Sequence, residues 1–276
     1  MNFLGEHMKK FAVIGVGNMA TSILCGMVSA QMPISDWIVY DKNTIQYEKL
    51  PTRSEAYYYA ESISEVVSLA DCILLSVKPQ NFPQVLEEIQ CAADFDKKLY
   101  ISIAAGIDSC SISSSLNGAR VVRVLPNLPM TVGMGVSLIC ENSSVDFAEM
   151  EFVRNVFASS GSVLMIREEE MNRMIGVTSS SPAYVFKFID AIYQGALAQG
   201  IPSEGLIDTI CDVVIGSAQL LKQQGLAPKE LIGRVASKGG TTERALLALE
   251  ENHFDDMIAR AMIACTARAD ELGQEK

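Results

Sequence analysis

The sequence predicts a doubly wound α/β domain, in which helices cover both faces of a parallel sheet, followed by an all-α domain. Over residues 1–167, short runs that are apolar throughout alternate with segments of helical periodicity. Strands buried on both faces of a parallel sheet have this character. Over residues 168–276, every segment has helical spacing. We therefore expect a domain boundary directly after Arg167.

The expected elements of the first domain follow one another with short connections. Residues 1–7 precede the first apolar run and are expected to be a flexible extension. The predicted strands are Phe11–Gly15, Trp37–Tyr40, Tyr57–Ala60, Cys72–Val77, Leu99–Ile103, Ala119–Leu125, Val136–Cys140 and Ser162–Ile166. The predicted helices between them are Met19–Ala30, Ile63–Ala70, Phe82–Cys91 and Phe147–Ala158.

The second domain is divided into helices by three Gly- or Pro-containing breaks, at 200–202, 225–228 and 239–240. Some of these helices are apolar on most of their circumference, for example residues 206–221. A helix of that kind needs more cover than one small domain provides. The pattern therefore predicts that the helical domain buries its surface in a homodimer.

Composition excludes several classes of function. The net charge is -11, with 22 Lys and Arg residues against 33 Asp and Glu, and no basic run is present, so nucleic-acid binding is not expected. No apolar run reaches the ~18 residues of a membrane span, and the start lacks a signal-peptide pattern. The seven cysteines contain no CxxC pair, which favours reduced thiols in a cytoplasmic protein. With only two histidines, neither a metal site nor a His-based triad is expected.

A glycine fingerprint follows the first strand and opens the first helix. It comprises Gly15, Val16, Gly17, Asn18, Met19 and Ala20, which form a GxGxxA pattern. The first glycine makes the tight turn, the second lets a pyrophosphate approach, and the small third residue lets helix and strand pack closely. In this context, a dinucleotide site is a better interpretation than a structural turn.

Asp41 ends the second strand, where a carboxylate accepts hydrogen bonds from the adenosine ribose. An acid at this position favours NADH over NADPH, because it would repel the 2′-phosphate. Lys42 and Asn43 follow immediately and could bind that phosphate, so the choice of cofactor stays open. The alternative interpretation is that Asp41 is an ordinary residue of a turn at the end of the strand. The carboxyl ends of the later strands carry further candidate cofactor residues, because ligands of open α/β sheets bind there. These candidates are Val77, Lys78, Pro79, Ala104, Ala105 and Asn127.

Residues 237–242, Ser-Lys-Gly-Gly-Thr-Thr, begin another helix and predict an anion site. The first turn of a helix leaves its N–H groups unpaired, and the helix dipole favours an anion there. Gly239 and Gly240 have no Cβ, so a ligand can approach the backbone closely. A carboxylate or phosphate fits this segment, which we call the cradle. An ordinary Ser/Thr N-cap after a glycine turn is the alternative.

Taken together, these motifs resemble those of the pyrroline-5-carboxylate reductases. The matching segments occur in order along almost the whole chain. They are IGVGNMA (14–20), SVKPQ (76–80), SIAAGI (102–107), VRVLPNLP (122–129), SPAYVFKFIDA (181–191) and SKGGTTERALLALE (237–250).

The resemblance implies a Rossmann domain that binds NADH or NADPH, and an all-helical dimerisation domain. It also implies a homodimer, with rings of dimers as a further assembly, and a cyclic imine carboxylate as the substrate. The carried-over substrate-binding residues are Ser237, Lys238, Gly239, Gly240, Thr241 and Thr242. Among them, the Thr242 hydroxyl would face the ring nitrogen, as the catalytic group.

The chain departs from the family pattern at Leu128, Ser179, Ser181 and Lys238, where the family usually has Thr, Gly, Gly and Pro. These departures leave open a paralogue that reduces another cyclic imine, and a protein that binds the dinucleotide without catalysis. A β-hydroxyacid dehydrogenase is a further alternative. That family needs a lysine early in the first long helix of the second domain, whereas Lys187 here falls past Pro182.

Overall fold

A computed structural model of the chain describes residues 9–53, 55–140 and 144–274. The predicted extension, residues 1–7, lies outside the described residues. The strands are β1 (Lys9–Ile14), β2 (Ile34–Tyr40), β3 (Tyr58–Tyr59), β4 (Cys72–Leu75), β5 (Leu99–Ser102), β6 (Arg120–Leu125), β7 (Gly135–Cys140) and β8 (Gly161–Ile166). The α-helices are α1 (Asn18–Ser29), α2 (Ile63–Leu69), α3 (Phe82–Gln90), α4 (Ser109–Ser115), α5 (Phe147–Ala158), α6 (Met171–Met174), α7 (Ser181–Ala198), α8 (Leu206–Gln224), α9 (Pro228–Val235), α10 (Thr241–Glu251) and α11 (Phe254–Gln274).

The eight strands form one sheet in the order β3-β2-β1-β4-β5-β6-β7-β8. Strands β1 to β6 are parallel, and the sheet changes direction between β6 and β7, which pair antiparallel. The order 3-2-1-4-5-6 is that of a doubly wound dinucleotide-binding fold. The predicted fold class is therefore confirmed, including the two added strands β7 and β8.

The core lies on both faces of this sheet. Phe11 and Val13 of β1 belong to a buried cluster with residues of α1 and α5. Ala12 and Ile14 belong to a second cluster with residues of α2, α3 and α4. Successive residues of a strand point to opposite faces, so a strand that is apolar throughout must be covered twice. This requirement explains why the uniformly apolar runs predicted a parallel sheet.

Helix α4 was not predicted, because five of its seven residues are serines and serine has no strong helix preference. Its N-cap residue, Asp108, accepts a hydrogen bond from the Ser111 N–H at 2.7 Å. Ile112 and Leu116 fasten the segment to the sheet, and both are fully buried. Local capping and two apolar anchors therefore form this helix despite its composition.

The chain divides into two compact units at places that differ from the predicted boundary after Arg167. The first unit continues to Ser180 and also includes the C-terminal residues from Cys265, whereas Ser181–Ala264 form the second. The cause is a third buried cluster within the first unit, in which Met171, Ile175 and Ala269 pack with residues of β6 and β7. The helical unit is therefore an insertion in the sequence of the first unit.

The second unit consists of α7, α8, α9, α10 and the first part of α11, as the helical spacing predicted. Helices α7, α8 and α9 end before the three expected breaks, and Gly225 terminates α8 in the left-handed conformation with φ 62°. None of the helices in the described ranges combines the length and apolar character that a membrane span needs.

Candidate functional site

A cavity of about 450 Å³ opens at the carboxyl ends of β1, β2 and β4. This volume lies in the range of small-molecule sites. Six of the predicted cofactor residues line it, together with residues that the sequence did not single out. The predicted six are Gly15, Gly17, Asn18, Asp41, Val77 and Lys78. The structure thus brings together three separate strand ends at one crevice.

The two fingerprint glycines have different physical roles. Gly15 has φ +94°, and a Cβ there would lie 2.6 Å from the Ser76 carbonyl oxygen, so only glycine fits this turn. Gly17 has an ordinary negative φ, and a Cβ there would meet nothing within 4 Å. Since Gly17 lines the cavity, a side chain at this position would have open space to occupy. The absence of a Cβ at Gly17 leaves room for a pyrophosphate at the start of α1, in agreement with the fingerprint.

Asp41 holds the fingerprint loop in place. Its Oδ2 accepts a hydrogen bond from the Val16 N–H at 2.7 Å, and its Oδ1 accepts one from the Asn43 N–H at 2.8 Å. The preference for NADH depended on a carboxylate available to the ribose. Both carboxylate oxygens instead accept backbone N–H groups, which weakens the reason for that preference.

The segment after β2 supplies pocket residues that sequence reasoning missed. A 3₁₀ helix, Thr44–Lys49, follows the strand and places Gln46 and Lys49 in the cavity lining. The Lys49 ammonium donates to Asn18 Oδ1 at 3.1 Å and to Gln46 Oε1 at 2.8 Å. Periodicity does not reveal such a contact across 31 residues. The signal that could have identified these pocket residues is the position of the loop, because it begins at the same edge of the sheet as the fingerprint.

Six predicted cofactor residues are not part of the cavity lining. Ala20 is fully buried in the core, where its small size permits close packing of α1. Met19 packs against the same cluster, and Pro79 lines a separate groove. Ala104 is buried and its N–H donates to the Ser102 hydroxyl at 3.4 Å, while the adjacent Ala105 is half-buried.

Asn127, the sixth of these residues, forms hydrogen bonds with two backbone groups inside the protein. Its Nδ2 donates to the Thr178 carbonyl oxygen at 3.0 Å, and its Oδ1 accepts from the Val136 N–H at 2.8 Å. The side chain is buried, so these bonds satisfy an amide that would be costly to bury alone. The sequence assigned this amide to the cofactor, whereas in the structure it fastens two backbone segments to the end of β6.

The cradle has fewer available N–H donors than predicted. The Gly239 N–H donates to the Glu243 carboxylate at 2.7 Å, and the Gly240 N–H donates to the Ser237 carbonyl oxygen at 3.0 Å. These two donors therefore already have partners within the loop. The first-turn N–H groups of Thr241 and Thr242 remain directed along the start of α10, as in any helix N-terminus.

The side chains of the cradle differ in their surroundings and exposure. A Cβ at Gly240 would lie 2.6 Å from the Ser237 Oγ, so a larger residue there would make the Ser237 hydroxyl rotate away. Thr242 is half-buried, while Ser237 and Lys238 are exposed. The departure Lys238 thus places an exposed cation immediately before the two glycines.

Two of the remaining departures lie near the end of β6. The Ser179 hydroxyl donates to the Pro126 carbonyl oxygen at 3.3 Å, a bond that the usual glycine could not form. The Leu128 side chain, which replaces a hydroxyl residue, is 48% exposed. Ser181 begins α7 in the second unit.

A partly buried ionic network joins the segment after β8 and the C-terminal helix to β6. Arg123 is 2% exposed and donates to Glu168 Oε1 and to Asn172 Oδ1, both at 2.8 Å. Glu168 Oε2 accepts from the Ser109 hydroxyl at 2.6 Å, and Asn172 Nδ2 donates to Asp270 Oδ1 at 2.8 Å. Burial opposes ionisation of Glu168, but these hydrogen bonds and the Arg123 charge hold its pKa below the ordinary value.

Comparisons with known proteins cover almost the whole chain. The family model "Pyrroline-5-carboxylate reductase dimerisation" matches residues 168–272, and the model "NADP oxidoreductase coenzyme F420-dependent" matches residues 10–106. The pyrroline-5-carboxylate reductase of Escherichia coli K12 is 33% identical over 272 residues, which are 96% of this chain and 99% of that protein. The enzyme of the same name from Corynebacterium melassecola is 31% identical over 97% of this chain and 100% of that protein.

Solved structures agree with this result. The crystal structure of Plasmodium falciparum pyrroline carboxylate reductase with NADP bound has a TM-score of 0.86 and 25% identity, and the match covers 97% of this chain and 100% of that one. The reductase from Coxiella burnetii has a TM-score of 0.83 and 26% identity, with 96% and 99% covered. On this full-length similarity, and with a fingerprint pocket of the expected geometry, the chain belongs to the pyrroline-5-carboxylate reductase family.

Proposed function

We propose that this chain reduces the C=N bond of 1-pyrroline-5-carboxylate to give L-proline, as an oxidoreductase acting on a CH–NH bond. The observation that carries the proposal is the pocket at Gly15 and Gly17, where a missing Cβ leaves room for a pyrophosphate. The full-length similarity to reductases of that name supports the substrate. A reduced nicotinamide dinucleotide supplies the hydride when bound.

The residues of the first unit hold and orient the cofactor. Gly17 and the start of α1 bind the pyrophosphate through backbone N–H groups and the helix dipole. Val77 and Lys78 border the same cavity after β4. The Asp41 carboxylate holds the loop through the Val16 N–H. This division of labour is typical of cofactor enzymes, in which the protein supplies position and electrostatics.

The cradle of the second unit binds the substrate carboxylate. The Thr241 and Thr242 N–H groups and the Ser237 hydroxyl are its donors, and the Lys238 ammonium adds an exposed positive charge beside them. The Thr242 hydroxyl oxygen, or a water that it holds, accepts a hydrogen bond from the N–H of the protonated ring nitrogen. A protonated imine is already electrophilic, so the reaction needs no strong protein acid. The reaction therefore needs no histidine as a general acid, which fits a chain that has only two histidines.

The active form is a homodimer formed through the helical unit. Large apolar side chains of this unit are exposed in the single chain, among them Phe186 at 55%, Val213 at 62% and Ile263 at 69%. Exposed apolar surface on this scale marks an association surface. The matched dimerisation model spans these three positions. Assembly of such dimers into rings and a cytoplasmic location remain predictions.

The test is oxidation of NADH and NADPH, followed at 340 nm, with purified protein and 1-pyrroline-5-carboxylate. Rapid oxidation that depends on the imine, with L-proline as the product, is the expected result. A six-membered cyclic imine in a parallel assay tests the paralogue alternative. Cofactor binding without oxidation by either imine would contradict the proposal and favour a sensor of the dinucleotide.

A further inference from the structure

The cofactor cavity is cationic in a protein that is strongly acidic. Its lining contains three lysines, Lys42, Lys49 and Lys78, and one acidic residue, Asp41, whereas the whole chain has a net charge of -11. Positive charge lining a cleft raises the local concentration of an anionic ligand. A local excess of cations against the overall charge therefore favours an anionic ligand at this position.

The single acidic group of the lining is already engaged. The two oxygens of the Asp41 carboxylate accept the Val16 and Asn43 N–H groups at 2.7 and 2.8 Å. These donors offset part of its negative charge and orient its lone pairs toward the protein backbone. Asp41 thus opposes a phosphate at the adenosine ribose less than a carboxylate aimed into the cavity would.

Of the two lysines after β2, only Lys42 is paired with a carboxylate among the residues that the structure describes. Lys42 lies 3.6 Å from the Glu88 carboxylate and is paired with it. The Lys49 ammonium donates to the neutral amide oxygens of Asn18 and Gln46. Asn18 is the first residue of α1, directly after the fingerprint. Lys49 is therefore held at the mouth of the dinucleotide site with its charge available to a ligand.

We propose that Lys49, positioned by Asn18 and Gln46, recognises the 2′-phosphate of the cofactor and makes this chain select the 2′-phosphorylated dinucleotide over the unphosphorylated one. The inference rests on the proposed function only in taking the cavity as the dinucleotide site. A charge-assisted hydrogen bond of this kind changes affinity by about 10- to 100-fold. Lys42 contributes less, because a phosphate must compete with Glu88 for it.

The experiment measures binding of 2′-phospho-ADP-ribose and of ADP-ribose by titration calorimetry, with the wild type, Lys49→Ala and Lys49→Arg. Neither probe reacts, so the result does not depend on imine reduction. The wild type is expected to bind the 2′-phosphorylated probe about 10- to 100-fold more tightly. Lys49→Ala is expected to remove most of that ratio, and Lys49→Arg to retain it. Lys97→Ala, which changes an exposed lysine paired with Asp94 outside the cavity, is the matched charge control.

Two outcomes would overturn the inference. An unchanged ratio of the two affinities in Lys49→Ala would remove this lysine from recognition of the 2′-phosphate. An equal loss for both probes would place Lys49 at the pyrophosphate, which both probes contain. In the first case, a wild type that prefers ADP-ribose would also restore the interpretation of Asp41 as a ribose-binding carboxylate.

Discussion

The Asp41 carboxylate accepts the Val16 backbone N–H at 2.7 Å across 25 residues of sequence. Val16 lies between the two fingerprint glycines and is fully buried. The end of β2 and the turn after β1 are thus joined by a bond that shapes the phosphate-binding loop itself. We therefore expect Asp41 to act on the cofactor through this loop.

Asp41→Ala is expected to weaken binding of NADH and NADPH by similar factors. Loss of the acceptor leaves the Val16 N–H without its partner, at a cost of about 1–3 kcal/mol, or roughly 5- to 150-fold in affinity if the loop then reorganises on binding. Fluorescence titration of both reduced cofactors measures the effect. A loss confined to NADH would instead identify Asp41 as a ligand of the ribose hydroxyls.

Gly17→Val is expected to abolish dinucleotide binding with the fold intact. The new side chain enters the open space beside Gly17, where the pyrophosphate would bind, and adds no clash in the free protein. Equilibrium dialysis with NADPH, alongside the thermal midpoint, tests this expectation, and Gly17→Ala serves as a smaller graded change. Wild-type affinity in Gly17→Val would refute the assignment of the fingerprint.

Thr242→Ala is expected to lower kcat for imine reduction by about 10- to 100-fold, because it removes the proposed acceptor of the protonated imine N–H. Thr242→Ser retains the hydroxyl and should recover most of the turnover. Steady-state kinetics with saturating cofactor separates kcat from KM. Wild-type turnover by the alanine variant would exclude Thr242 from the mechanism.

Phe186→Asp is expected to shift the protein from dimer to monomer or aggregate. Burial of a Phe side chain stabilises by about 1.5–3 kcal/mol, and a charge at the same place adds a desolvation cost. Size-exclusion chromatography with light scattering measures the mass. The adjacent Lys187→Asp, at a side chain that is 82% exposed, introduces the same group on the same helix. Equal masses for Phe186→Asp and the wild type would place the dimer interface elsewhere.

Glu168→Ala is expected to lower the free energy of unfolding at neutral pH by about 2–3 kcal/mol. It leaves the buried Arg123 without its carboxylate, and partial exposure of Glu168 reduces the cost below that of a fully buried pair. The pKa of Glu168 lies below its ordinary value of 4.5 in the folded state. Its contribution is therefore complete above about pH 4.5 and is lost as the pH falls through the lower folded value.

Urea denaturation of the wild type and Glu168→Ala at several pH values tests this sign. The difference between the two proteins should shrink as the solution becomes more acidic. A difference that grows toward low pH would show that Glu168 is protonated in the folded protein.

The sequence predicted the sheet from runs that are apolar throughout, and the helices of the second unit from periodic apolar positions. It also predicted the fingerprint glycines, whose conformations are local. It did not predict the position of Lys49 or the hydrogen bond from Gly239 to Glu243, because these depend on side chains that fold back across a loop. The amide of Asn127 was assigned to the cofactor for the same reason, since only the fold places Thr178 and Val136 beside it.

The insertion of the helical unit between Ser180 and Cys265 has a consequence for dissection of the protein. A single protease cut within α8 or α9 would leave two fragments, each with part of the helical unit. The C-terminal fragment would remain attached to the first through Ala269 and the Asp270–Asn172 hydrogen bond. A fragment that stops at residue 180 would expose the apolar surface that Ala269 covers. Separate expression of the first unit therefore requires that the C-terminal segment be grafted back through a short linker.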